Sequence, residues 1–189
     1  MPSAVDESRP VALITGGGTG IGAAIALKLA STHFVAICGR REAILQTVAN
    51  QTGGLAIAAD ISVPADAAAV VEKVVAHFGR LDSLVLNAGT VIAASVSEMS
   101  IVDWQTQIDV NLTAPFVMAK AAIPHLLRTK GAIVTISSVA GATAGAGLAA
   151  RVCITSSRVS SHFTTRSWSS FGSSFRVTPV RSAKRRFVS

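Results

Sequence analysis

The stretch Thr15-Gly16-Gly17-Gly18-Thr19-Gly20-Ile21-Gly22 stands between an apolar run, Val11-Ala12-Leu13-Ile14, and the helical text Ala23-Ala24-Ile25-Ala26-Leu27-Lys28-Leu29-Ala30. Strand, glycine turn and helix in immediate succession place backbone amides at a helix N-terminus, where the dipole favours negative charge. Glycines lack a Cβ, so such a turn is tight and lets an anion such as a pyrophosphate approach the main chain closely. The spacing is T-G-x-x-x-G-I-G, with Gly16, Gly20 and Gly22 as the spaced glycines, and departs from G-x-G-x-x-G. A flexible hairpin is the competing reading of a glycine cluster, and the strand before and helix after it speak against that.

Outward from this turn the chain alternates in period. The short apolar segments 10–15 (PVALIT), 34–38 (FVAIC), 54–59 (GLAIAA), 83–87 (SLVLN) and 131–137 (GAIVTIS) are each separated by text with helical spacing. That is a βαβ rhythm, and near-continuous apolar strands predict an α/β fold, a doubly wound parallel sheet covered on both faces. Residues 65–78 put Val70, Val71, Val74, Val75 and Phe78 on one stripe, as a helix packed on a sheet requires. Asp66 suits the first turn of that helix, and Gly79 its stop. A longer helix is predicted from about Asp103 and Trp104 towards Arg128, bent where Pro115 and Pro124 each remove a backbone hydrogen bond.

Composition sets the frame around these elements. With 189 residues, 50% of them hydrophobic and 14% charged, the chain excludes disordered and fibrous classes and suits one compact unit. The two cysteines, Cys38 and Cys153, make no disulfide framework, so a reducing, cytoplasmic setting is expected. The first ten residues, with Asp6 and Glu7, lack the basic and apolar regions of a signal peptide. The uncharged stretch 131–150 is broken by Gly, Ser and Thr and reads as a buried strand and loop instead of a membrane span. Four scattered histidines, His33, His77, His125 and His162, give no metal-ligand spacing.

Charge divides the chain in two. All ten acidic residues lie at or before Asp109, so the net +7 arises wholly beyond it. Near Arg151 the composition changes to Ser, Arg and Thr with scattered Phe and Trp. Two unlike segments are therefore expected, residues 1–150 and a basic tail of residues 151–189.

Four motifs in order carry a resemblance. Thr15 to Gly22, Asn87-Ala88-Gly89 after the fourth strand, Asn111 in Val110-Asn111-Leu112, and Ser137-Ser138 after the fifth strand resemble the short-chain dehydrogenase/reductase family over residues 9–150. The resemblance implies a Rossmann-type sheet, here incomplete at its C-terminal end, binding a nicotinamide dinucleotide. It also implies an oxidoreductase moving hydride between the nicotinamide and a small carbonyl or alcohol substrate. On this pattern Thr15, Gly16, Gly18, Thr19, Gly20, Ile21 and Gly22 hold the cofactor. Asp60 and Ile61 lie beside the adenine, and Asn87, Ala88 and Gly89 form the adenine-side end of the sheet. A turn acid at Asp60 and a simple post-strand turn at 87–89 are the competing readings.

Cofactor choice follows from the end of the second strand. An acid there would bond the adenosine ribose of NAD; Gly39 holds the place, followed by Arg40 and Arg41, which suit a 2′-phosphate. NADP(H) is therefore favoured over NAD(H), against the alternative that the arginines merely begin a solvated helix.

Of the four residues the family's chemistry uses, two are matched. Asn111 is expected to break the helix pattern and hold a water in a proton relay. Ser138 is expected to bond the substrate oxygen, with Ser137 an equal candidate because neighbouring strand-end residues point opposite ways. The family's tyrosine and lysine, in Y-x-x-x-K, fall on Arg151 and Thr155. The chain has no tyrosine at all, and no lysine between Lys130 and Lys184. Losing that general acid removes an effect of roughly 10²–10⁴-fold in rate, and a guanidinium that stays protonated cannot replace it.

The loss coincides with the composition break, which motivates the expectation of a reading-frame change or aberrant junction near Ala150. A genuine divergent C-terminus is the alternative. Three functions remain open: an oxidoreductase by descent that is disabled or impaired, a non-catalytic dinucleotide-binding protein, or a basic interaction protein acting through its tail. The tail's bases among Phe163, Trp168, Phe171 and Phe175 carry no recognisable nucleic-acid motif, so nucleic acid is not expected as a partner. The resemblance further implies homo-oligomers paired through the helix holding Asn111.

Overall fold

The computed structural model describes residues 9–138, with side chains, and the backbone of residues 175–179. In chain order the elements are β1 (Val11–Thr15), α1 (Gly20–Leu29), β2 (Phe34–Gly39), α2 (Glu42–Thr52), β3 (Leu55–Ala58), α3 (Pro64–Phe78), β4 (Ser83–Leu86), α4 (Ile101–Ile108), a π turn (Asp109–Thr113), α5 (Ala114–Thr129), β5 (Ala132–Ile136) and β6 (Phe175–Pro179). Five strands run parallel, as the alternating period predicts, and they lie in the order β3-β2-β1-β4-β5. The order reverses between β1 and β4, and a crevice outside the carboxyl ends of strands is expected at such a switch point.

Two apolar layers follow from period-2 alternation along the strands. Val11, Leu13, Ala36, Cys38, Leu84 and Leu86 pack against α3 (Ala67, Val70, Val71, Val74) and α5 (Ala114, Met118, Ala122, Leu126). Ala12, Ile14, Val35, Ile37 and Val85 pack on the other face against α1 (Ala26) and α2 (Leu45, Val48, Ala49). The alternation is visible in the packing though not in polarity, because both faces are covered. Below the sheet, at the amino ends of the strands, Asp82 accepts the Val11 N–H at 2.8 Å and pairs with Arg80 at 2.7 Å. Arg9 lies over the Phe34 ring, 4.8 Å from its centroid, and donates to the Ala30 carbonyl.

Two expectations are refined. The long helix begins at Ile101, ahead of Asp103, because Ser100 caps it: the Ser100 hydroxyl accepts the Asp103 N–H at 3.0 Å. The strain expected at Pro115 is absorbed just before it. The helix widens by one π turn, and the Ala114 N–H bonds Asp109, five residues back. By length and composition the continuous helix 101–129 is apolar enough to cross a membrane; in the fold its Ala114, Met118, Ala122 and Leu126 side packs on the core.

One strand adds to the expected parallel sheet: β6 from the tail pairs antiparallel with β5, from Ala132 opposite Pro179 to Ile136 opposite Phe175. A five-residue strand in acid-free, Ser/Arg-rich text gave too little periodic signal to be read. Arg151, Cys153 and Thr155, on which the missing-motif argument falls, lie outside the described residues.

Candidate functional site

A cleft of about 330 Å³ opens above the carboxyl ends of β1, β2 and β4. Its floor and walls include Gly16, Gly18, Thr19, Gly39, Arg40, Arg41, Asp60, Ile61, Asn87, Ala88 and Gly89. These come from four separate stretches of chain, and β1 brings them together because it is central, with β2 on one side and β4 on the other.

The glycine turn is shaped by close approach. Gly16 has φ +64°, a left-handed conformation that side chains resist, and a Cβ there would meet Ala88 Cα at 3.1 Å. At Gly22 a Cβ would lie 2.3 Å from the Gly16 carbonyl oxygen. The first turn of α1 is thereby pressed against the turn that precedes it. The amides of Gly16 and Gly17 are occupied, both donating to the Cys38 carbonyl at 2.8 and 3.3 Å. The first helical bond runs from the Ala23 N–H to the Thr19 carbonyl, so the amides of Gly20, Ile21 and Gly22 precede any intrahelical partner. Thr19, the N-cap residue, offers its side chain to none of them. An anion at this helix start would meet donors and the positive end of the dipole together.

Thr15 is placed differently from the cleft-lining residues. It is 1% exposed and lies beneath the cleft. Its hydroxyl donates to the Val85 carbonyl at 3.4 Å and accepts the amides of Asn87 and Ala88, each at 2.9 Å. Asn87 returns the tie, its Nδ2 donating to the Thr15 carbonyl at 2.9 Å. Thr15 and Asn87 together lock the end of β1 to the end of β4.

At the opposite wall Arg40 and Arg41 are exposed beside Gly39, with Ile44 and Leu45 of α2. Asp60 lines the same cleft as Arg40. Its carboxylate is held below its ordinary range chiefly by the Ser62 hydroxyl, which donates to Oδ1 at 2.7 Å; the Ser62 amide at 3.0 Å and the Arg40 charge act in the same direction. Ile61 is 8% exposed and belongs as much to the core as to the cleft. Cys38 lies in the floor, where burial pushes its thiol up to about 12, so it is an uncharged packing group.

Gly20, Ile21, Gly22, Asn111 and Ser138 lie outside the cleft lining. Ile21 is 54% exposed, an apolar side chain at the helix start. Asn111 sits in the π turn behind Gly89, where a Cβ on the glycine would be 3.2 Å from its Oδ1. Its amide clasps Thr90: Oδ1 accepts the Thr90 N–H at 2.9 Å and Nδ2 donates to the Thr90 carbonyl at 2.8 Å. The side chain thus braces a loop, a role the sequence did not suggest. Pro115, lacking an N–H, sends no α-helical bond to the Asn111 carbonyl. Ser138 follows β5 and is half-buried, whereas Ser137 is exposed.

Sequence reasoning missed Thr90, Thr106 and Val110, which also line the cleft. Thr106 and Val110 stand four apart on the helix, a spacing that puts them on one face, but nothing local marks that face as turned to a cleft.

Comparison with known proteins gives concordant results. Residues 10–153 match the family model described as short chain dehydrogenase. An uncharacterized oxidoreductase of Staphylococcus epidermidis is 34% identical over 135 residues, covering 69% of this chain and 59% of that protein. Meso-2,3-butanediol dehydrogenase of Serratia marcescens is 36% identical over 135 residues, covering 69% and 54%. The chain thus spans a little over half the length of the curated relatives it matches. Among solved structures, a metagenomic short-chain oxidoreductase in complex with NADP superposes with a TM-score of 0.72 at 37% identity, covering 76% of this chain and 69% of that one. The 3-ketoacyl-(acyl-carrier-protein) reductase of Brucella melitensis complexed with NADH gives 0.74 at 31%, covering 78% and 64%.

Proposed function

This chain belongs to the short-chain dehydrogenase family, and from that premise we propose that its cleft binds a nicotinamide dinucleotide, NADP(H) in preference to NAD(H). One observation carries the reading. Gly16 and Gly18 of the glycine turn and Thr19, the N-cap of α1, share a cleft with Arg40 and Arg41, and Gly39 stands where a ribose-binding acid would be. The residues present fit such a group: close packing at Gly16 and Gly22 leaves no room for side chains, and the amides of Gly20, Ile21 and Gly22 precede the first intrahelical bond of α1 and so would be available to an anion. Thr19, Gly20, Ile21 and Gly22 would hold the phosphates, Arg40 and Arg41 a 2′-phosphate, and Asp60, Ile61, Asn87, Ala88 and Gly89 the adenosine end. Gly16, Gly18 and Thr15 shape the turn and its support.

When bound, the cofactor supplies hydride exchange with a small carbonyl or alcohol carbon. The chain's own part in that chemistry is incomplete. Ser138 offers a hydroxyl to a substrate oxygen and Asn111 braces the site, but the chain has no tyrosine to exchange the proton at that oxygen. We therefore read residues 1–150 as a dinucleotide-binding oxidoreductase unit whose turnover is lost or severely reduced, with 151–189 a tail that contributes the edge strand. A non-catalytic dinucleotide-binding protein is the second reading, favoured by that absence of tyrosine. Phe116 and Val102, exposed at 66% and 75% on the helix 101–129, support self-association of this unit.

The deciding experiment titrates the full chain with NADPH and NADH, wild type and Arg40→Ala. The expected result is saturable binding of both, with NADPH tighter, and an approximately tenfold loss for NADPH alone in the variant, the effect of one charge-assisted contact. Equal loss for both cofactors refutes the 2′-phosphate assignment, and no binding by the wild type refutes the cofactor reading.

A further inference from the structure

Among the described residues two polar side chains are fully buried, Thr15 and Gln107. Thr15 is explained by the tie between β1 and β4. Gln107 lies in α4, away from the strands, at a helix position where a leucine would bury without the desolvation cost of an amide. A buried amide is retained when its groups are bonded. Gln107 Oε1 accepts the Ile92 N–H at 3.2 Å, and Nε2 donates to the Met99 sulfur at 3.6 Å. Both partners belong to the loop that leads from β4 to α4.

Asn111, one turn further along the same helix, clasps Thr90 of that loop. Two side-chain amides thus hold loop residues 90 and 92 from a single helix. Gly89 and Thr90 line the cleft, as do Thr106 and Val110, which flank Gln107 in sequence. Loop wall and helix wall meet at these hydrogen bonds.

We propose that Gln107 is a positioning residue of the cleft, setting the height of the 89–92 loop against α4 and so the width of the cleft where Thr90 faces Thr106 and Val110. This rests on the reading of the cleft as the dinucleotide site. Asn111 alone fixes one point of the loop and leaves it free to pivot; the Gln107 bond to Ile92 supplies the second point. The Met99 contact keeps the amide from turning its nitrogen to Ile92, because a weak sulfur acceptor takes the donor side.

The test uses the full chain. Gln107→Met keeps the volume and removes both amide groups, whereas Gln107→Glu keeps an acceptor for the Ile92 N–H. Amide exchange is followed residue by residue, and NADPH affinity is measured on the same samples. In Gln107→Met the Ile92 amide is expected to exchange about tenfold faster or more, and NADPH to bind about tenfold more weakly, the scale of one lost hydrogen bond. Exchange at Leu13 and Leu84 in the strands stays unchanged, and Gln107→Glu recovers both properties. Unchanged Ile92 exchange, or an acceleration that spreads equally to Leu13 and Leu84, overturns the proposal. If Gln107→Met does not fold, Gln107→Glu decides: Ile92 protected supports it, Ile92 in fast exchange overturns it. A wild type that fails to bind NADPH while Ile92 behaves as expected refutes the cofactor reading and leaves the loop-setting role intact. NADPH binding that Gln107→Met does not weaken refutes the positioning role alone.

Discussion

Gly22 shows how a single residue governs the site. The Gly16 carbonyl would lie 2.3 Å, and Asn87 Nδ2 2.6 Å, from a Cβ on it, contacts that no rotamer can relieve because one of them is main chain. Gly22→Ala is expected to push α1 off the turn, lowering stability by about 1–3 kcal/mol as overpacking does, and weakening NADPH binding further than that loss explains. Denaturant unfolding and cofactor titration on the same variant separate the two effects. The spacing of Gly16, Gly20 and Gly22 made this legible in the sequence, because the steric demand is local. Gln107 was not legible: an amide beside Gln105 and Thr106 looks like any surface glutamine until the Ile92 amide and Met99 sulfur are known to face it. Asn111 falls between, since its motif pointed to the site while its actual partners, both on Thr90, depend on how the loop returns.

At the scale of elements, the helix that begins at Ile101 depends on its cap. Ser100 accepts the Asp103 amide at 3.0 Å and donates its hydroxyl to the Asp103 carboxylate at 2.7 Å, so each residue satisfies the other. Ser100→Ala is expected to cost about 1 kcal/mol, read as a lowered denaturant midpoint with unchanged slope. The first turn of α4, at Ile101 and Val102, should lose amide protection before α5 does. The sequence showed the five parallel strands through period alone, because each apolar run is bounded by turn residues, but not the order in which they lie side by side. It misplaced the start of this helix by starting from Asp103 and Trp104 instead of the Ser-x-x-Asp pattern just ahead of them. The π turn was foreseen only as a bend, since whether a chain kinks or widens ahead of Pro115 depends on the packing of Ala114 and Met118 below it.

For the whole molecule, acidity acts through groups that folding keeps deprotonated. Burial lowers the pKa of His33 from 6.5, aided by Arg9 and opposed by Asp82, and the Ser62 bonds lower that of Asp60 from 3.8. For both groups the unfolded chain binds the proton more readily, so the stability each contributes is present above those ordinary values and lost as pH falls through the lowered ones. Thermal unfolding is therefore expected to be insensitive to His33 above neutrality and to weaken as pH drops below about 6.5. In His33→Gln that first decline should flatten, while the later one in the carboxylate range remains. An unchanged decline in the variant would place its origin elsewhere. Neither shift could be read from composition, because it depends on neighbours joined only by the fold. The antiparallel β6 has a temporal consequence. Strands β2 to β5 each pair with a strand already made when they emerge, so a nascent chain can assemble the parallel part of the sheet in order during synthesis, whereas β6 arrives only after residues 137–174 have been added. The outer margin of β5 stays unsatisfied through that interval, a kinetic window in which a ribosome-bound chain would be most exposed to chaperones and to pairing with another nascent chain.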